Sequence, residues 1–134
     1  MYLGLLNEKE KKMFLDFAQY VSASDGNVGV EETETLKAYC VEMNISTQFE
    51  KPIKTVDNVI EEINSLCDDR SKKIIIFELI GLALSDNSYD IAEKNLINSA
   101  IESFNMDKNY IQECEKIISE YISFQNRVNA LILG

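Results

Sequence analysis

A nine-residue acidic segment occurs twice in this chain, 61 residues apart, and the residues around it repeat at the same offset. The first copy is Ser24-Asp25-Gly26-Asn27-Val28-Gly29-Val30-Glu31-Glu32 and the second is Ser85-Asp86-Asn87-Ser88-Tyr89-Asp90-Ile91-Ala92-Glu93. Each opens on Ser-Asp, carries apolar residues three and five positions after the Asp, and closes on a Glu seven positions after it. Lys11-Lys12 falls on Lys72-Lys73, Val21 on Leu82, Leu36 on Ile97, and Met43-Asn44-Ile45 on Phe104-Asn105-Met106. Self-similarity at a fixed period marks duplicated folding units. The pattern predicts two helix-loop-helix repeats packed as a pseudo-symmetric pair, with the acidic loops as the candidate functional surface.

Hydrophobic spacing supplies the elements. Asn7 with Glu10 forms a capping-box pattern, and Met13, Phe14, Phe17, Ala18 and Val21 follow at helical spacing. A second helix carries Val30, Leu36, Cys40 and Met43 to about Asn44. After the only proline, Pro52, a third helix starts past Thr55 with Val56, Val59, Ile60, Ile63 and Leu66 on one stripe. The run 71–85, SKKIIIFELIGLALS, is apolar nearly all round and predicts a central buried helix. Within it Ser71, Glu78 and Ser85 recur every seven residues, which places Glu78 on a solvent-facing rim, since Glu is almost never buried unpaired. A fifth helix opens at Asp90-Ile91-Ala92-Glu93 and runs through Ile97, Ala100, Ile101 and Phe104. A sixth begins near Asp107 with Tyr110, Ile111, Cys114, Ile118, Tyr121, Val128 and Ile132. Without strand alternation the expected fold is an all-α bundle of about six helices. One domain spans 1–134: a first repeat over 7–45, a linker and third helix over 46–67, a second repeat over 71–106, and a last helix over 107–133.

Function classes are narrowed mainly by charge and by what is missing. With 23 acidic and 13 basic residues the net charge is −10, a field that opposes nucleic-acid phosphates and anionic lipid and favours cations or basic partners. Cys40, Cys67 and Cys114 are odd in number, far apart and on apolar helix faces, so reduced, buried thiols in a cytoplasmic protein are expected. Met1 to Leu6 lacks a basic region and is too short for a signal sequence, and no apolar run approaches a membrane span. The chain has no histidine, no Gly-rich phosphate loop and no nucleophile-elbow pattern, so an enzyme is not expected.

Carboxylates flanking a short loop suit a hard cation such as Ca²⁺ or Mg²⁺, which takes oxygen ligands. Asp25, Glu32, Asp86 and Glu93 are the candidate metal ligands, with Asp90 as a fifth oxygen source. An EF-hand does not fit: counted from Asp25 or Asp86, the sixth position is Val30 or Ile91, and the twelfth is Leu36 or Ile97. Zinc is disfavoured without His or nearby Cys. The same residues also read as structure: Asp90-x-x-Glu93 is a capping box, Gly29-x-x-Glu32 a weaker one, and Asp25-Gly26 an ordinary turn. The segment Phe124 to Gly134 has two readings of its own. Its apolar stripe either finishes the chain's own core or docks a protein partner, including a second copy in a homodimer.

The helix ending in Ala23-Ser24-Asp25-Gly26, the Val28 that follows, the helix opening with Glu and the degenerate copy about sixty residues on resemble the TerB-like tellurite-resistance family. The resemblance covers about 7–121. It implies an all-α helical bundle, also found in the N-terminal region of a membrane-anchored J-domain cochaperone, although no J domain or anchor is found here. It further implies an adaptor or sensor role in tellurite or stress response, with a metal centre at Asp25, Glu32, Asp86 and Glu93. The second loop departs from the motif, carrying Asn87 in place of the glycine. With a net charge of −10, direct capture of an oxyanion such as tellurite is not expected.

Overall fold

The computed structural model describes residues 1–24, 30–84 and 89–134, and the fold is all-α, with no strand among the described residues. A 3-10 turn over Leu3–Leu5 precedes α1 (Glu8–Ser22), α2 (Val30–Glu42), α3 (Val56–Leu66), α4 (Asp69–Leu84), α5 (Ile91–Ser103) and α6 (Asn109–Leu133). A shift of 61 residues carries Glu8 to Asp69, Val30 to Ile91 and Glu42 to Ser103, so the element ends themselves repeat.

The caps explain why those ends coincide. Asn7 Oδ1 accepts the Glu10 N–H at 2.9 Å, and its equivalent Asp68 Oδ1 accepts the Ser71 N–H at 2.8 Å. Each cap satisfies an amide the first turn leaves without a helical partner. The Asp68 cap also starts α4 at Asp69, two residues before the expected Ser71. At the other end, α2 stops at Asn44 (φ 57°) and α5 at Asn105 (φ 53°). The Ile45 N–H reaches back to the Cys40 carbonyl at 3.0 Å, and the Met106 N–H to Ile101 at 3.1 Å. This is the Schellman arrangement, in which Asn tolerates the left-handed conformation that stops a helix.

Helices α1 and α4 form the centre. Helix α1 packs against α2, α3, α4 and α5, while α4 packs against α1, α5, α6 and the N-terminal 3-10 turn. The core between them holds Phe14, Phe17, Met43, Ile63, Ile75, Ile76, Leu79 and Ile97, all fully enclosed. The expected burial of α4 is met, as are the inward faces of α1 and α5. All three cysteines are free and buried, with burial first among the causes pushing each thiol's pKa up, Cys67 to about 12.

Several sequence expectations are corrected. Val30 and Leu66 are exposed, at the outer ends of the α2 and α3 stripes, whose fully buried parts run from Leu36 to Met43 and from Val59 to Ile63. Glu78 is not on a rim: only 5% of it is exposed, and Ser71 is buried too, while Ser85 lies outside the described residues. Polar spacing was misleading there because the N-terminal segment, which has no helical period to read, folds over that strip and buries Leu3 and Leu6.

Helix α6 departs most from expectation. Only Ile111, Cys114 and Ile118 are buried, whereas Tyr121 and Ile132 are exposed and Val128 is half-buried. At one end the Tyr110 hydroxyl donates to the Lys73 carbonyl at 2.8 Å, and further on Leu84 shares a hollow with Ile122 and Asn126. The two helices therefore run parallel. With 25 residues α6 is about 37 Å long, against about 24 Å for the 16 residues of α4. It outruns its support, so the segment from Phe124 onward does not finish the core. No helix among the described residues is long and apolar enough to cross a membrane.

Candidate functional site

The sequence points first to the two acidic segments, 24–32 and 85–93. Asp25 and Asp86 lie outside the described residues. Glu32 and Glu93 occupy the same place in each repeat, the third residue of α2 and of α5. Glu93 is buried and closes a capping box: its N–H donates to Asp90 Oδ1 at 2.8 Å, and its Oε1 accepts from the Asp90 N–H at 3.4 Å. Asp90, the candidate fifth oxygen source, thus already accepts from the helix. The structural reading of Asp90-x-x-Glu93 holds in these bonds. Glu32 is half-buried. Among the described residues, no group of three or more His, Cys, Asp or Glu is placed to hold a metal ion.

Two carboxylates missed as a pair by sequence reasoning secure the N-terminal segment. Glu78 on α4 accepts the Tyr2 N–H at 2.8 Å, and Glu42 at the end of α2 accepts the Leu3 N–H at 2.9 Å. The Met1 amino group lies 2.7 Å from Glu42 and 3.0 Å from Glu78. Burying Glu78 is tolerable because charged and neutral donors replace the lost water. Behind it, the Tyr39 hydroxyl donates to the Glu78 carbonyl at 3.3 Å, and its pKa is pushed up by burial and then by the Glu78 and Glu42 charges. No local sequence signal links Glu78 to Tyr2, which is 76 residues away.

Folding the N-terminal segment onto α4 and setting α6 parallel to it leaves a cleft of about 870 Å³ between them. Ile74, Phe77 and Gly81 of α4 line it on one side, and Ile117, Tyr121 and Ile122 of α6 on the other. Tyr2 meets Phe77 edge-on, with ring centroids 6.2 Å apart. One end of the cleft carries Arg70 and Lys73, both exposed, and neither forms an ion pair with a described residue. Past the end of α4 the groove continues into a hollow of about 670 Å³ beside Ile122, Arg127 and Ala130. Apolar walls with a few charges at one end suit a ligand that is itself largely apolar.

The α6 face over this cleft is uncovered. Ile117 is 57% exposed, Tyr121 50% and Phe124 54%, and Leu131 further along is 86% exposed. The sequence signal was present in the apolar spacing of 107–133, but it does not say whether the stripe faces the chain's own core or another surface. In comparisons with known proteins, no family model, no curated protein and no solved structure matches this chain.

Proposed function

We propose that this protein is a non-enzymatic adaptor, a helical module that docks a protein partner in the cleft between α4 and α6. The observation that carries this reading is the uncovered α6 face of Ile117, Tyr121 and Phe124, the first two of which line an open apolar cleft of about 870 Å³. Contiguous exposed apolar surface in a folded domain is uncommon and marks interaction sites. The exposed Arg70 and Lys73 at one end of the cleft favour a partner that brings negative charge to that end. Photo-crosslinking groups placed at Phe77, at Phe124 and at the exposed Glu61 on α3 test it in cells that make the protein. Adducts concentrated at Phe77 and Phe124 support docking in the cleft. Equal labelling at all three positions overturns it.

A second reading is a TerB-like domain that binds Ca²⁺ or Mg²⁺ at its acidic loops and serves in a cytoplasmic tellurite or stress response. What favours it is the repeat: Glu32 and Glu93 sit at equivalent first-turn positions, each seven residues after the Asp of a Ser-Asp pair. The ligand set would be Asp25, Glu32, Asp86 and Glu93. A bound ion at 100 times its Kd stabilises the fold by about 2.7 kcal/mol. Thermal melts with and without each ion, in the parent protein and in Asp25→Asn/Asp86→Asn, measure this. A shift lost in the double variant supports the reading, and no shift, or an equal one in both, removes it.

A further inference from the structure

Four exposed residues of α6 and the half-buried Val128 form a heptad seam. Ile117, Tyr121, Phe124, Val128 and Leu131 are spaced four, three, four and three residues apart, so they share one stripe along the outer half of the helix. Glu120 and Arg127 flank that stripe at equivalent heptad positions, each one residue before a seam residue. On the other side lie Ile118, which is buried toward α4, then Gln125 and Ile132.

We infer that this seam pairs with the same seam of a second copy, antiparallel, in a twofold dimer. This rests on the adaptor reading and names its partner. In an antiparallel pair Tyr121 meets Phe124 of the second copy and Ile117 meets Val128, with the twofold axis near residues 122 and 123. That register sets Glu120 opposite Arg127 of the second copy, and Arg127 opposite Glu120. The chain therefore carries its own charge complement, twice per dimer. The outer half of each α6 then lies along the partner's cleft, with Ile132 turned toward Phe77 and Ile74. Its C-terminal end comes to the level of Tyr110, where Arg70 and Lys73 meet the negative end of the helix dipole.

The area agrees with this occupant. At about 200 Å² for a fully exposed large side chain, the seam residues with Ile122 and Ile132 leave on the order of 700 Å² uncovered per copy. A stable interface buries about 800 Å² per partner, and a polar rim supplies the remainder. The duplication points the same way. At the 61-residue offset Ile117, Tyr121 and Phe124 correspond to Val56, Ile60 and Ile63, which α3 packs inward.

Charge reversal tests both the dimer and its direction, because Glu120 and Arg127 are both exposed. Sedimentation equilibrium of the full chain at up to about 100 μM should show a dimer. Glu120→Arg and Arg127→Glu should each weaken it about tenfold by setting like charges opposite one another. The double variant Glu120→Arg/Arg127→Glu should return to within about threefold of the parent. In a parallel pair Glu120 would face Gln125 and Arg127 would face Ile132, and no rescue would follow. A monomeric parent, or single reversals without effect, or a double variant no better than the singles, overturns the inference. Photo-adducts at Phe77 of a mass other than a second copy, with a monomeric parent, would keep the adaptor reading while removing the dimer.

Discussion

The two halves of the molecule start from the same plan and finish it differently. In the first half α3 closes over α1: Val59, Ile60 and Ile63 are buried, the Tyr20 hydroxyl donates to the Lys54 carbonyl, and Lys54 pairs with Glu62 across the linker. In the second half the helix in the equivalent place is α6, which packs against α4 but leaves an open cleft alongside that contact. A second divergence sits beneath that cleft. Phe17, fully buried in α1, corresponds to Glu78 in α4, where a carboxylate receives the N-terminal backbone. Matched caps and helix stops frame the core of both halves, and what one half covers and the other leaves open is where a partner surface can arise.

The contrast breaks most directly at Ile63 and Phe124, which occupy the same place at the 61-residue offset. Ile63→Ala should cost about 2–5 kcal/mol, since a fully buried aliphatic side chain leaves a cavity. Phe124→Ala should change the monomer's stability by less than about 1 kcal/mol, since half of that ring already meets water. Urea unfolding at high dilution compares them. Equal costs would mean that α6 is packed on its own core and that the halves do not differ.

Glu78 sharpens the comparison from beneath the cleft. Glu78→Ala leaves the Tyr2 N–H buried without its acceptor and should cost about 1–3 kcal/mol. Glu78→Gln keeps an acceptor and should lose less. Amide exchange should quicken at Tyr2 and Leu3 in the alanine variant, with little change in the α1–α3 contact. If exchange there stays slow, the N-terminal segment is held by Leu3 and Leu6 burial alone.

What the sequence made legible was local or periodic. The Asn7 and Asp90 capping boxes are four-residue patterns, and both hold in the structure. The fold class and the element order follow from helical spacing. Glu78 escaped because its partners are backbone amides at the far end of the chain, and amides leave no mark on sequence. The outer half of α6 escaped for a different reason. Apolar spacing records that a face is to be covered, not by which surface, and whether α4 reaches far enough depends on helix lengths and direction. Of the candidate metal set, Glu32 and Glu93 lie among the described residues, and Glu93 forms the capping box that its spacing from Asp90 spells out.

The helix stops test whether the shared part of the plan is energetically shared. Asn44→Ala and Asn105→Ala each place a Cβ-bearing residue without Asn's tolerance at φ near 55°, for a loss of about 1 kcal/mol. Asn44→Gly and Asn105→Gly should be neutral or slightly stabilising. Two matched losses in thermal melts would make the stops equivalent in energy as they are in geometry. A loss at only one of them would move the divergence of the halves into the core itself.

The smallest expected effect comes from alkali, and its sign follows from burial. Cys67 titrates near 12 in the fold, pushed up first by desolvation and then by the Glu10 charge, against an ordinary value of 9.0. The unfolded chain therefore loses its proton first as pH rises, binds fewer protons than the native state, and gains relative stability. The thiol's contribution to folding is whole below the ordinary value and falls away from there toward the folded one. Between about pH 8 and about pH 9 the loss should stay well under 1 kcal/mol and then steepen. Cys67→Ala should flatten that fall relative to the parent, measured as the change in urea midpoint with pH. Cys67 follows directly on α3 in the closed half, whereas Cys114 lies in α6 beside the open one, so Cys114→Ala supplies the matched control. A Cys114→Ala profile flattened more than that of Cys67→Ala would show that the open half is the better sealed of the two at its base, and the distinction between them would then rest on the outer half of α6 alone.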